Sequence, residues 1–106
     1  MRDIRWSDSE KRIARAAFES ALSKELAQTI EEFKLRAEAV KSPDEMWSVR
    51  DYLSQAQRDI DSKYDYRYSV LLIVLGRLLR EGRVQQEQLA GLSAEKLDSI
   101  HRVAGL

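Results

Sequence analysis

The sequence predicts an all-α fold: two long helices of antiparallel type forming a dimerising stalk, followed by a compact helical head. Three observations predict it. The chain of 106 residues holds four glycines and one proline, so turns are scarce. Charged residues make up 34% of it, which suits long helices with solvated faces. Apolar residues recur at steps of three and four over long stretches. One domain is expected over 1–106, with a stalk over about 8–64 and a head over about 65–106.

The first helix starts at Ser7. Ser7 and Glu10 have capping-box spacing, in which each side chain satisfies the other's free backbone N–H. Phe18, Leu22, Leu26, Ile30, Phe33, Ala37 and Val40 then form one stripe, with Ile13 and Leu35 off it. No breaker intervenes before "KSPDE", so the helix is expected over about 8–41, roughly 50 Å long. Such a helix needs a partner along its length, and a second copy of the chain is the natural supplier.

Pro43 ends one helix and begins the next. Ser42 and Glu45 again have capping-box spacing. Met46, Val49, Leu53, Ala56 and Ile60 follow in a seven-residue pattern of the coiled-coil kind. It covers barely two heptads, so Met46, Val49, Leu53 and Ile60 are expected as a dimer seam. Trp47 lies roughly 130° from the centre of that seam on a helical wheel. Its neighbours are polar: Asp51, Ser54, Arg58 and Asp61, with Arg50 at the border. Tryptophan and arginine dominate interface hot spots. Trp47, Arg50, Asp51 and Arg58 are therefore candidates for a recognition patch, against the alternative that Trp47 packs on the first helix or on a second copy.

"DSKYDYRYSVLL", residues 61–72, alternates tyrosines with charges. A strand there would need a partner strand, and no other segment alternates. The helix reading follows, with Tyr64 and Tyr68 on one face, Tyr66 elsewhere and Lys63 paired to Asp59. Lys63 and Arg67 repel at that spacing, which leaves room for a kink or break near Tyr64–Tyr66. The block is expected to join stalk and head, its rings packing the junction, with Tyr64 and Arg67 added to the functional patch. Ser69–Leu75 is apolar all round and reads as a buried helix closed by Gly82. Two short helices are expected over about 85–90 and 94–103, separated by Gly91, the second capped by Ser93.

Several chemistries find no support. Without cysteine there is no disulfide, thiolate zinc site or thiol nucleophile. His101 is the only histidine and has no triad-like companions. No HExxH, glycine-rich phosphate loop or EF-hand loop occurs, so no enzyme, metal or cofactor is expected. Eighteen basic and 18 acidic residues balance, which argues against nucleic acid despite Arg77, Arg80, Arg83 and the tyrosines. "MRDIRWSDSE" has no apolar core, so no signal peptide is expected, and no apolar run is long enough for membrane insertion. A cytoplasmic protein is the expectation.

Residues 46–84, "MWSVRDYLSQAQRDIDSKYDYRYSVLLIVLGRLLREGRV", resemble the fluorescence recovery protein family of cyanobacteria and its bacterial relatives. The resemblance rests on W-x-x-x-D-Y-L at Trp47–Leu53, on "KYDYRYS", and on the later "RLLREGR" and "LAGLSAEKLDSI". It implies an all-helical homodimer that binds the orange carotenoid protein, a light-switched photoprotective quencher of phycobilisomes. Such proteins speed its return from the red form to the orange form and help it leave the antenna, relieving non-photochemical quenching without pigment or catalysis. The resemblance places Trp47 and Asp51 on positions tied to function and dimer contact. Two positions depart: Arg50 stands where cyanobacterial members commonly carry histidine, and Gln57 followed by Arg58 where a basic residue is usual.

Overall fold

The computed structural model describes residues 5–106, so the expectation from the first residues falls partly outside them. Four α-helices and a 3-10 turn make up the regular structure of the described residues: α1 Asp8–Glu38, α2 Pro43–Lys63, α3 Leu71–Arg80, the 3-10 turn Gln86–Leu89 and α4 Ala94–Ala104. The whole measures 53 × 28 × 25 Å, elongated along its stalk.

The helix starts sit where the sequence puts them. Ser7 Oγ accepts from Glu10 N at 3.1 Å, and Glu10 Oε1 accepts from Ser7 N at 3.0 Å. Ser42 caps α2 through Glu45 N, and Ser93 caps α4 through Lys96 N. Gly82 (φ 74°) closes α3, with Arg83 N and Val84 N donating back to Leu78 O.

The core lies at one end. Trp6, just before α1, and Ala14, Ala17, Phe18 and Ala21 of its first half pack with Leu71, Leu72, Leu75 and Leu78 of α3 and with Val84, Leu89 and Ile100. Three alanines on α1 let α3 and α4 come close. Gly76 has the same effect between α3 and α4: a Cβ there would stand 2.5 Å from Val103 Cβ. Ile13, off the expected stripe, packs against this core, because the alanine row turns the buried face toward it. Ile73 is exposed, so the stretch read as apolar all round and buried is in fact buried on one side only.

The helix reading of the tyrosine block needs correction. α2 stops at Lys63; residues 64–67 have no regular structure and 68–70 form a turn. All three rings lie toward α1. Phe18 meets Tyr64 edge-on at 5.4 Å and Tyr66 at 4.8 Å, while Tyr68 lies 5.7 Å from Trp6. A helix would have turned Tyr66 away. Aromatic packing against α1 outweighs one more turn of helix.

Candidate functional site

The expected patch divides into two places. The first is near the tip of the stalk. Trp47 sits in the second turn of α2 and is 48% exposed. The Arg50 guanidinium stacks over its ring at 5.3 Å and also holds Asp51, Nη2 to Oδ1 at 3.1 Å. Trp47, Arg50 and Asp51 thus form one exposed cluster with a cation sandwiched between an aromatic face and a carboxylate. Arg58 lies three turns further along the helix, about 16 Å away by rise, and donates to Gln55 Oε1.

The second place is the joint, which carries Tyr64 and Arg67. Arg67 grips Asp65 through Nη2–Oδ2 at 2.6 Å and two Nε contacts, on the surface. That pairing holds the Asp65 carboxyl below its usual range, the side-chain bond to Arg67 being the main cause. Tyr64 turns inward, and its hydroxyl donates to Glu25 Oε1 at 2.7 Å. Burial pushes the Tyr64 hydroxyl well up, and the Glu25 carboxylate reinforces this, so Tyr64 stays protonated as a donor.

Tyr64 opens onto a charge network that spacing within a helix does not announce. Lys63 does not pair with Asp59, which instead accepts from Gln55. Its Nζ reaches Glu25 Oε2 of α1 at 2.8 Å and Glu81 Oε1 after α3 at 2.9 Å. Arg83 bridges the same two carboxylates at 3.1 and 3.0 Å, and Arg77 adds a further bond to Glu81. Burial pushes the Glu81 carboxyl up, yet the bonds from Lys63 and Arg77 outweigh it, and the net shift is downward. Arg77 and Arg83, two of the three arginines weighed above for nucleic acid, are thus engaged with acids inside the chain.

The expected seam residues also differ in setting. Met46 and Leu53 are exposed, Val49 is half-buried and Ile60 is buried at the base of α2. Opposite them on α1, Leu26, Ile30 and Phe33 are exposed. Between the helices runs an open cleft of ≈ 440 Å³, lined among others by Glu25, Thr29, Tyr52, Ala56 and Ile60. Among the described residues no cluster of His, Asp or Glu could hold a metal ion, and no helix is long and apolar enough to cross a membrane. His101 lies against Gln86, Nε2 to Oε1 at 2.8 Å.

Comparison with known proteins matches this architecture over nearly all of its length. The family model described as photoprotection regulator fluorescence recovery protein matches residues 6–104. The chain belongs to the fluorescence recovery protein family. The curated fluorescence recovery protein of Synechocystis sp. (strain PCC 6803) is 38% identical over 101 residues, covering 95% of this chain and 93% of that one. The solved fluorescence recovery protein of Fremyella diplosiphon superposes with a TM-score of 0.90 at 33% identity, over 96% of this chain and all of that one. The solved Synechocystis protein gives the same TM-score and coverage at 37% identity.

Family identity supports a role in regulating photoprotection. The features of this fluorescence recovery protein relative that sequence reasoning missed are Glu25, Glu81 and the true partners of Lys63. One signal was available: Glu25 stands on the stripe-bearing helix where the apolar core gives out, a place where a buried charge has room for partners.

Proposed function

We propose that the chain is a homodimeric, non-enzymatic regulator of the orange carotenoid protein. It speeds return of the photoactivated red form to the orange form and promotes release from phycobilisomes, working in the cytoplasm without a cofactor. The observation that carries this reading is the exposed Trp47–Arg50–Asp51 cluster, on a chain 38% identical over 95% of its length to a named fluorescence recovery protein. The dimer reading draws on the exposed apolar row of Leu26, Ile30, Phe33, Met46 and Leu53, which a single chain leaves in water. A second copy laid along it would cover Met46, Val49 and Leu53 of the expected seam, Ile60 being buried already within the chain.

The physics of such a regulator is differential binding. It shifts a two-state partner only by the difference in its affinity for the two states. To raise the rate it must hold the transition state between them more tightly still. A rigid helix presenting an aromatic anchor with charges of both signs meets the first requirement. Arg58, midway along α2, and Arg67, on the surface of the joint, offer further charges to a partner, while Tyr64 turns inward and holds the joint through Glu25.

The test is to mix the protein with photoactivated orange carotenoid protein in the dark and follow the red-to-orange absorbance change. Faster recovery that Trp47→Ala abolishes, in a protein that stays folded, is the expected outcome. A second reading keeps the scaffold and changes the partner. It is favoured by Arg50 and Gln57, which alter the charge of the surface around Trp47. Recovery unaffected by the protein would select it.

A further inference from the structure

α2 has 21 residues, and Ile60 and Lys63, both in its last turn, are its buried ones. Within one chain the rest of the helix lies beside an open cleft, with Val49, Tyr52 and Ala56 half-buried and the Arg36 guanidinium over the Tyr52 ring at 4.2 Å, so few packed contacts of the chain itself fix its angle or its rotation about its own axis. The joint that follows does not fix them through local conformation either. From Asp44 to Leu75 the sequence has neither glycine nor proline, so the bend at 64–70 is imposed by contacts with other elements. Those contacts converge on one spot. Lys63 Nζ, with its side chain 6% exposed, lies between Glu25 of α1 and Glu81 after α3. Tyr64, the next residue, bonds the same Glu25, and Arg83 closes the ring from the head side.

We propose that Lys63 is a positioning residue: a buried ionic lock that sets the pose of α2 against α1 and the head. Three separate elements meet at its ammonium group, and it is the charged anchor of a helix that otherwise has one buried apolar side chain. Its two carboxylates are neutralised jointly by Lys63 and Arg83. Removing Lys63 leaves Arg83 and Arg77 to balance the two acids, so the head keeps its charge balance while α2 loses its ionic tether and keeps only the Tyr64 hydroxyl bond to Glu25. The apolar core, built from the start of α1 with α3 and α4, does not include α2 and remains in place. The consequence is geometric. Trp47 and Arg50 sit about 24 and about 20 Å from Lys63 by helical rise, so a small tilt or rotation at the base moves that surface by several ångströms. The lock is a property of the chain itself and does not depend on which partner the protein regulates.

Spin labels test it directly. The chain has no cysteine, so Ser54→Cys on α2 and Asp98→Cys on α4 give one labelled pair per chain. Both positions are exposed. Dilution with unlabelled protein restricts the measurement to distances within one chain. The expected result is a narrow distance distribution in the parent, at least doubled in width by Lys63→Met with helix content unchanged. Lys63→Arg, which keeps the charge, should restore the narrow distribution. A distribution as narrow in Lys63→Met as in the parent overturns the lock. If Lys63→Met fails to fold, Glu81→Gln, which cuts the same network from the head side, takes its place. A narrow distribution there overturns the proposal equally.

Discussion

The two halves of α1 belong to one unbroken helix and serve opposite ends of the molecule. From Asp8 to Leu22 its inward residues are mostly small: Ala14, Ala17 and Ala21 are buried beside Phe18. From Leu26 onward its apolar residues are larger, and Leu26, Ile30, Phe33 and Leu35 are exposed. A count of the large apolar side chains alone, Ile13, Phe18 and Leu22 against Leu26, Ile30, Phe33 and Leu35, would have placed the core in the second half. The core is in the first, because small residues let α3 and α4 approach, and because the chain supplies those helices there and nothing comparable further along.

The sharpest test of that contrast is truncation at each end. Leu75→Ala should cost about 2–5 kcal/mol in urea denaturation, since Leu75 is fully buried against α1. Ile30→Ala should cost less than about 0.5 kcal/mol in a dilute, monomeric sample, as an exposed substitution does. A larger cost at Ile30 that grows with protein concentration would show that a second copy completes the stalk.

Met46→Glu presses the same point from α2. A carboxylate buried unpaired in a seam costs about 3 kcal/mol, all of it in association. Sedimentation should show a monomer with unchanged helix content. A dimer of undiminished affinity would mean that Met46 faces water in the assembly, as it does in the single chain.

The head end should also answer to acid. Glu10 closes the α1 cap, accepts from Ser93 N at 2.9 Å and meets Lys96 Nζ at 3.3 Å, joining the starts of α1 and α4. The backbone bond from Ser7 leads the causes that hold its carboxyl at about 2, against an ordinary 4.5, even though burial opposes them. The folded value lies below the unfolded one, so the ionised form stabilises the fold. That contribution is complete above about pH 4.5 and is lost as the pH falls toward 2. Glu10→Gln should lower stability at pH 7 by about 1–3 kcal/mol and flatten the decline between pH 4.5 and 2. Thermal melts across that range measure both. An undiminished slope in the variant would assign the acid sensitivity to Glu81, whose carboxyl is also held low.

The contrast explains what could be read in the sequence. Caps are local, so Ser7, Ser42, Ser93 and Gly82 were legible from residues three or four positions apart. The long helices were legible from their stripes. The break after Lys63 was legible only as repulsion between Lys63 and Arg67, because the contacts that make it come from far away: Tyr64 meets Glu25, 39 residues distant, and Tyr66 reaches the Lys11 carbonyl, 55 residues distant. Lys63 was assigned to Asp59 by the i, i+4 rule, and two better acids from other elements displaced it. Trp47 was legible as an anomaly, a large aromatic on a charged face, and it is exposed as that reading implied.

The smallest expected effect on stability carries the most functional information. Trp47 is half exposed, and within the chain its ring contact is with Arg50, one turn along the same helix. Trp47→Ala should therefore shift the melting free energy by no more than about 0.5 kcal/mol. A tryptophan at the centre of a binding surface commonly contributes about 2 kcal/mol or more, which is a loss of about 30-fold in affinity for the partner. Measuring stability and partner binding on the same variant separates the two. A stable variant with weakened binding marks Trp47 as an anchor for another protein. A variant destabilised in proportion to its dimer content places the ring between two copies of this chain, and Asp51→Asn, on the same face, should then weaken the dimer as well.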